Sequence, residues 1–298
     1  MKIVITGAGG FLGEHIIRQC LKQDSKIEIL AITSKMKSLS QKYYDYIEVI
    51  DRKQLDKIVW NEIDILLNCA FPRNNDGEQM AYGLSFISDT ITRATVGGVG
   101  AVINISSQSV YSQTRMLPAT EETSLNLETK YAVGKYATEL LVNKICRNIP
   151  HTNLRMASLI GEGFEQRITN KLVAKAILGG DLDIIGGEQR FGFLNVEDAA
   201  NGIVAVINSR PIEWKEVYNL GTNESHTLSE IAEIVSTIGE RYLCRRISIN
   251  YQGVSEWKNS SMSCDLFFKS FSWKPQYSMN DTINMLFKYS IKRTSIDN

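Results

Sequence analysis

Tyr131 and Lys135 stand four residues apart, a spacing that stacks two side chains on one helix face. A tyrosine with an ordinary pKa of about 10 is a poor base at neutral pH. An ammonium one turn away favours its phenolate, so the pair could exchange a proton with an alcohol oxygen. On its own the pair could equally be solvated surface. Ser107 lies 24 residues earlier, in the run Ser106-Ser107-Gln108-Ser109. That run follows the apolar stretch Ala101–Ile105, which reads as a strand. Ligands of open α/β sheets gather at the carboxyl ends of strands, so a serine cluster is well placed there.

The elements that must position these residues begin at the N-terminus. Lys2–Thr6 is a short apolar run, Gly7, Gly10 and Gly13 follow, and Ile16, Ile17, Cys20 and Leu21 then recur at helical intervals. A second strand is expected at Ile27–Thr33. Strand, glycine turn and helix in that order form a phosphate cradle. Gly7 allows the tight turn, Gly10 lets a pyrophosphate approach, and Gly13 lets helix and strand pack closely. Further strands are expected at Tyr46–Ile50, Ile63–Asn68, Leu154–Gly161 and Val217–Thr222. Helices are expected at Gln79–Val96, from Tyr131 onward, around Leu172, Val173, Ala176 and Ile177, starting in the stretch 193–199, and after Tyr277 through Tyr289. Thr227 and Glu230 have the spacing of a capping box. The fold class is therefore α/β, a doubly wound parallel sheet.

A unit that binds NAD usually has an acid about 20 residues past its last glycine. Here that place holds Thr33, then Ser34 and Lys35, with Lys37 beyond. No carboxylate stands there to repel a 2′-phosphate, which favours NADP(H) over NAD(H). His15, His151 and His226 have no ligand neighbour at metal spacing, and no metal is expected. The Tyr43-Tyr44-Asp45-Tyr46 cluster reads as packing and surface. The loop after Pro72 carries Arg73.

Composition narrows the rest. Among 298 residues, 33 Lys plus Arg balance 33 Asp plus Glu, so nothing points to nucleic acid or an anionic membrane surface. The five cysteines are scattered, as expected of reduced thiols in a cytoplasmic protein. No apolar run approaches the ~18 residues of a membrane span.

The Gly-x-x-Gly-x-x-Gly spacing, with Gly-Gly-Phe-Leu-Gly at 9–13 and the Ser107, Tyr131, Lys135 set, resembles the extended short-chain dehydrogenases/reductases. Pro-Ala-Thr-Glu-Glu-Thr at 118–123, Val-Tyr-Asn-Leu-Gly at 217–221 and Trp-Lys-Pro-Gln-Tyr at 273–277 resemble landmarks of their NAD-dependent epimerase/dehydratase family. The similarity runs from residue 2 to about 289. It implies a Rossmann-type domain over 1–157, joined by about 193–222, and a small C-terminal substrate-binding lobe over 158–298. It implies that Tyr131 moves the proton, that Ser107 holds the same oxygen, and that Lys135 also holds the nicotinamide ribose. Cofactor contacts would come from Gly7, Gly10, Phe11, Leu12, Gly13, Thr33, Ser34, Lys35, Asp51, Asn68, Cys69, Ala70, Tyr131, Lys135 and Ala157. Substrate contacts would come from Phe71, Ser109, Ser158 and Arg190. The implied substrate is a nucleotide-activated sugar. The implied assembly is a homodimer through helices near 79–96 and 130–147, which carry Leu84, Ile87, Ile91, Leu141 and Ile145.

Three departures shape the expected activity. Gln108 and Ser109 replace the Asp-Glu pair of the family's dehydratases. Ser109 also replaces the cysteine of enzymes resembling GDP-fucose synthase, and no histidine lies between His151 and His226. Phe191 occupies the usual pyrophosphate-arginine place, with Arg190 one residue early. The expected activity is reduction of a 4-keto-deoxysugar. The alternatives are a 4-epimerase of the UDP-glucose type, a reductase of a non-nucleotide carbonyl compound, favoured by Phe191, and a cofactor-binding protein without turnover.

Overall fold

A computed structural model describes residues 1–298 apart from Asp24, Ser25, Tyr44, 73–75 and Asn298, and apart from the side chains of Ser40 and 294–297. Arg73 and Tyr44 thus lie outside the described residues. Among those described, seven strands form one parallel sheet: β1 (Lys2–Thr6), β2 (Glu28–Ile32), β3 (Glu48–Ile50), β4 (Ile65–Asn68), β5 (Ala101–Ser107), β6 (His151–Met156) and β11 (Val217–Leu220). Their order is β11-β6-β5-β4-β1-β2-β3. The direction of winding reverses between β1 and β4, which opens a crevice at their carboxyl ends.

The strand residues separate the two faces by parity. Ile3, Ile5, Ile65, Leu67, Ile103 and Leu154 face one core, shared with Ile16, Ile17 and Cys20 of helix α1 (Phe11–Gln23). Val4, Leu30, Leu66 and Val102 face the other, shared with Ile87 and Ile91 of α3 (Gly77–Val96). Burial on both faces explains why the central strands read as unbroken apolar runs. The first core also holds Ala199 and Ile203 of α6 (Val196–Ile207), and Phe267 of α8 (Asp265–Phe271) with Trp273 beside it. Helix α2 (Met36–Tyr43) contributes Leu39 and Tyr43. Of the tyrosine cluster, Tyr43 is therefore buried, while Tyr46 is exposed.

A further core is built from α5 (Ile168–Ile177), α7 (Leu228–Leu243) and α9 (Met279–Asp297), through Leu172, Val173, Ile231, Val235, Ile283 and Phe287. The Thr227–Glu230 capping box opens α7. Beside it β8 (Leu182–Ile185) pairs with β13 (Ile249–Gln252), and β9 (Arg190–Phe191) with β12 (His226–Thr227). The strand expected over Leu154–Gly161 divides in two. β6 ends at Met156, and β7 (Ser158–Ile160) pairs with β10 (Phe193–Asn195) outside the main sheet. No helix among the described residues is long and apolar enough to cross a membrane.

Candidate active site

The crevice at the sheet's reversal is a cleft of about 1030 Å³. The glycine turn forms its floor. Gly7 has φ +67°, and a Cβ there would stand 2.8 Å from the backbone of Cys69 and Ala70 at the end of β4. A Cβ on Gly13 would meet the Gly7 carbonyl at 2.6 Å, so the start of α1 can lie against the turn only without a side chain. The free amides of the first turn of α1 thus open onto the cleft, an arrangement suited to an anion. Gly10, Phe11 and Leu12 line it, as do Thr33, Ser34 and Lys35 from the end of β2. Thr33 Oγ1 accepts from the Lys35 amide at 3.0 Å, which fixes that turn. Cys69, Ala70, Phe71, Ala157 and Ser158 also line the cleft.

Ser107, Tyr131 and Lys135 meet on one wall. Ser107 ends β5, and its Oγ accepts from the Ser109 amide at 3.2 Å, capping a short 3-10 turn over Gln108–Val110. Tyr131 and Lys135 lie in the first two turns of α4 (Lys130–Ile145), which Thr129 caps through the Ala132 amide. Lys135 is 5% exposed. Its Nζ donates to the Ile105 carbonyl at 2.7 Å and lies 4.3 Å above the centre of the Phe71 ring and 5.9 Å from that of Tyr131. Phe71 meets the Tyr131 ring edge-on at 5.3 Å. Burial pulls the Lys135 ammonium down to about 8, with Cys69 and Glu139 acting against that shift.

The serine run beside this wall is held from both sides. Gln108 exchanges hydrogen bonds with Gln113 at 3.3 Å and accepts from Arg115 at 3.3 Å. Ser109 lines the cleft, and its Oγ is buried with no partner. Behind the wall, Glu139 of α4 accepts from Ser106 Oγ and from Arg155 of β6, whose Nη2 stands 2.8 Å away. Arg155 also donates to Tyr111 Oη at 3.0 Å, and Tyr111 donates to Asn219 at 2.8 Å.

Three expected contact residues lie outside the cleft lining. Asn68 is buried within the sheet. It accepts from Thr6 at 2.7 Å and donates to Asn104 at 2.9 Å, and Asn104 donates to Asn153 at 2.8 Å, forming a polar ladder across four strands. Asp51 accepts from the Lys53 amide at 2.9 Å and so shapes the turn after β3, while its neighbour Arg52 reaches the cleft. Arg190 turns to Ser225, donating to that residue's carbonyl at 3.3 Å. Phe191 stacks on Phe193 at 5.1 Å and packs against the α5/α7/α9 core. It is not among the residues that line the cleft.

Arg52, Phe164 and Arg167 line the cleft without having been singled out by any motif. Lys35, Arg52, Lys135 and Arg167 thus bring four cationic side chains to the cleft, and no Asp or Glu among the described residues lines it. The glycine cradle and this one-sided charge fit a dinucleotide together with an anionic substrate.

A seven-stranded parallel sheet with a glycine turn at its point of reversal defines a dinucleotide-binding protein of the Rossmann class. The model of the NAD dependent epimerase/dehydratase family matches residues 3–221, and the chain belongs to that family. It is an NAD-dependent enzyme of the short-chain dehydrogenase/reductase type. A putative UDP-glucose 4-epimerase of Methanocaldococcus jannaschii is 23% identical over 253 residues, covering 78% of this chain and 81% of that protein. GDP-mannose 3,5-epimerase 1 of Oryza sativa subsp. indica is 23% identical over 316 residues, covering 96% and 81%. UDP-glucuronic acid 4-epimerase from Bacillus cereus, solved with UDP-glucuronic acid and NAD, superposes with a TM-score of 0.80 at 21% identity, covering 99% and 100%. At that identity the superposition speaks for the fold.

Proposed function

We propose that this chain is a nucleotide-sugar 4-epimerase that oxidises and re-reduces one sugar carbon in the Ser107–Tyr131–Lys135 site. The observation that carries this reading is the Ser107, Tyr131 and buried Lys135 set on one wall of a cleft that no Asp or Glu among the described residues lines. Gln108, where a dehydratase would need an acid, is engaged with Gln113 and Arg115. Relatives named as UDP-glucose 4-epimerases favour epimerisation over the one-way reduction expected first.

The cofactor, when bound, supplies hydride transfer at its nicotinamide ring. Tyr131 takes the proton from the substrate hydroxyl during oxidation and returns it to the ketone oxygen during reduction. Ser107 donates a hydrogen bond to that same oxygen and fixes its distance from Tyr131. Lys135 lowers the cost of the phenolate, and its bond to the Ile105 carbonyl holds it against the wall. The buried Ser109 hydroxyl offers a further bond to the sugar.

At the adenosine end Thr33, Lys35 and Arg52 support acceptance of a 2′-phosphate, so NADP(H) should bind at least as well as NAD(H). Five free cysteines favour a reducing, cytoplasmic compartment.

The test is incubation with UDP-glucose, UDP-glucuronate and their 4-epimers. Interconversion without net cofactor consumption is expected, and a stoichiometric loss of reduced cofactor would mark a reductase instead. Tyr131→Phe should lower kcat by about 10²–10⁴-fold while cofactor affinity is kept. Unchanged turnover in that variant would remove Tyr131 from the chemistry.

A further inference from the structure

We infer that Arg167 is this chain's anchor for an oxyanion that the substrate carries close to the reacting sugar, and so sets which sugars the cleft accepts. The inference rests on the nucleotide-sugar reading above. Arg167 is the N-cap of α5, so its backbone is still extended, at φ −75° and ψ 148°, and its side chain leaves before the first helical turn. Its guanidinium carbon lies 4.9 Å from the centre of the Phe164 ring, and Phe164 stacks on Phe11 of the glycine turn at 4.5 Å. Arg167 therefore lies over an aromatic shelf on the cleft side that also carries the glycine turn.

Other described arginines withdrawn from water have partners within the protein. Arg155 pairs with Glu139, and Arg115 donates to the carbonyls of Ser261 and Ser112. Arg167 makes no side-chain hydrogen bond or ion pair with any described residue, and its Nε is buried without a partner. An unpaired, partly desolvated guanidinium is costly to keep. Burial pulls its pKa down, and the phenol of Tyr131 acts against that shift, so the charge lies within electrostatic reach of the reacting oxygen. A planar fork of donors in that position matches a phosphate or a carboxylate bidentately. Both are oxyanions a nucleotide sugar can present, the first at C1 and the second on a uronate. Arg190 turns instead to Ser225 and is not among the residues lining the cleft.

The experiment is calorimetric titration of cofactor-loaded wild type, Arg167→Met and Arg167→Lys with UDP, UDP-glucose and UDP-glucuronate, with a parallel cofactor titration of each protein. Arg167→Met should weaken substrate binding by about 30-fold or more. Arg167→Lys should recover part of it, because charge returns without the fork. Equal losses for UDP and both sugars identify the phosphate as the oxyanion, and a loss confined to UDP-glucuronate identifies the carboxylate. Unchanged substrate affinity, or a loss confined to the cofactor, overturns the inference while wild-type binding leaves the functional reading standing. If wild type binds none of these UDP ligands nor their GDP and dTDP counterparts, the functional reading fails and the inference falls with it.

Discussion

Lys135 holds a charge where solvation is poor, and that has a consequence measurable without substrate. Its ordinary pKa of 10.5 falls to about 8 because the side chain is buried under Phe71 and Tyr131. The shift corresponds to roughly 3 kcal/mol of native-state destabilisation at pH 7, where the lysine is charged in both states. Between about 8 and 10.5 the unfolded chain still holds the proton and the native chain does not, so stability rises with pH across that window. Lys135→Met should therefore unfold at higher urea than wild type at pH 7, by about 2 kcal/mol once about 1 kcal/mol is allowed for the lost bond to Ile105. The advantage should shrink to under about 1 kcal/mol near pH 10, while turnover is lost throughout. A gain that stayed constant with pH would come from packing and not from the charge.

At the scale of elements, the site depends on how α4 is seated on the sheet. Glu139 lies two turns beyond Tyr131 on the same helix and receives both Ser106, next to Ser107, and Arg155. The pair is almost fully buried, with side chains 7% and 2% exposed for Arg155 and Glu139. Removing one partner strands the other's charge, which typically costs about 3–5 kcal/mol. Glu139→Ala should lose that much in urea unfolding at an unchanged m-value, and a loss below about 1 kcal/mol would show that water reaches Arg155. This clamp was not legible in the sequence, because its members come from β5, α4 and β6 and only the order of the strands brings them together. The side-chain partners of Asn68 were not legible for the same reason. Its place at a strand tip is local information, but its partners Thr6 and Asn104 lie on neighbouring strands. The glycine turn and the Tyr131–Lys135 pair could be read directly, since turn strain and helical spacing are local. Arg167 sits in an irregular stretch with no motif around it, and its unpaired state exists only in three dimensions. The split of β7 from β6 escaped because no glycine or proline marks a break between Leu154 and Ile160, while the pairing partner changes.

For the whole molecule, the outer faces of α3 and α4 remain to be accounted for. These helices pack against each other closely enough that a Cβ on Gly134 would meet the Met80 sulfur at 2.5 Å. Of the apolar residues expected at an interface, Ile87 and Ile91 turn inward to the sheet and are each 1% exposed. Different residues of these helices face out: Val96, Val133 and Leu140 are at least half exposed. Apolar side chains on two adjacent helices suit a self-complementary two-fold contact, in which each helix pair meets its own copy. We propose that these faces form a homodimer. The wild-type chain should then sediment at about 67 kDa, twice its 33.5 kDa mass. Leu140→Asp should sediment as a monomer, because a carboxylate at the centre of an apolar contact would be desolvated without a partner. Since Leu140 does not line the cleft, that variant should keep its affinity for the cofactor. A wild-type protein that sediments at 33.5 kDa across the micromolar range would refute the dimer, and the exposed residues would then be ordinary surface.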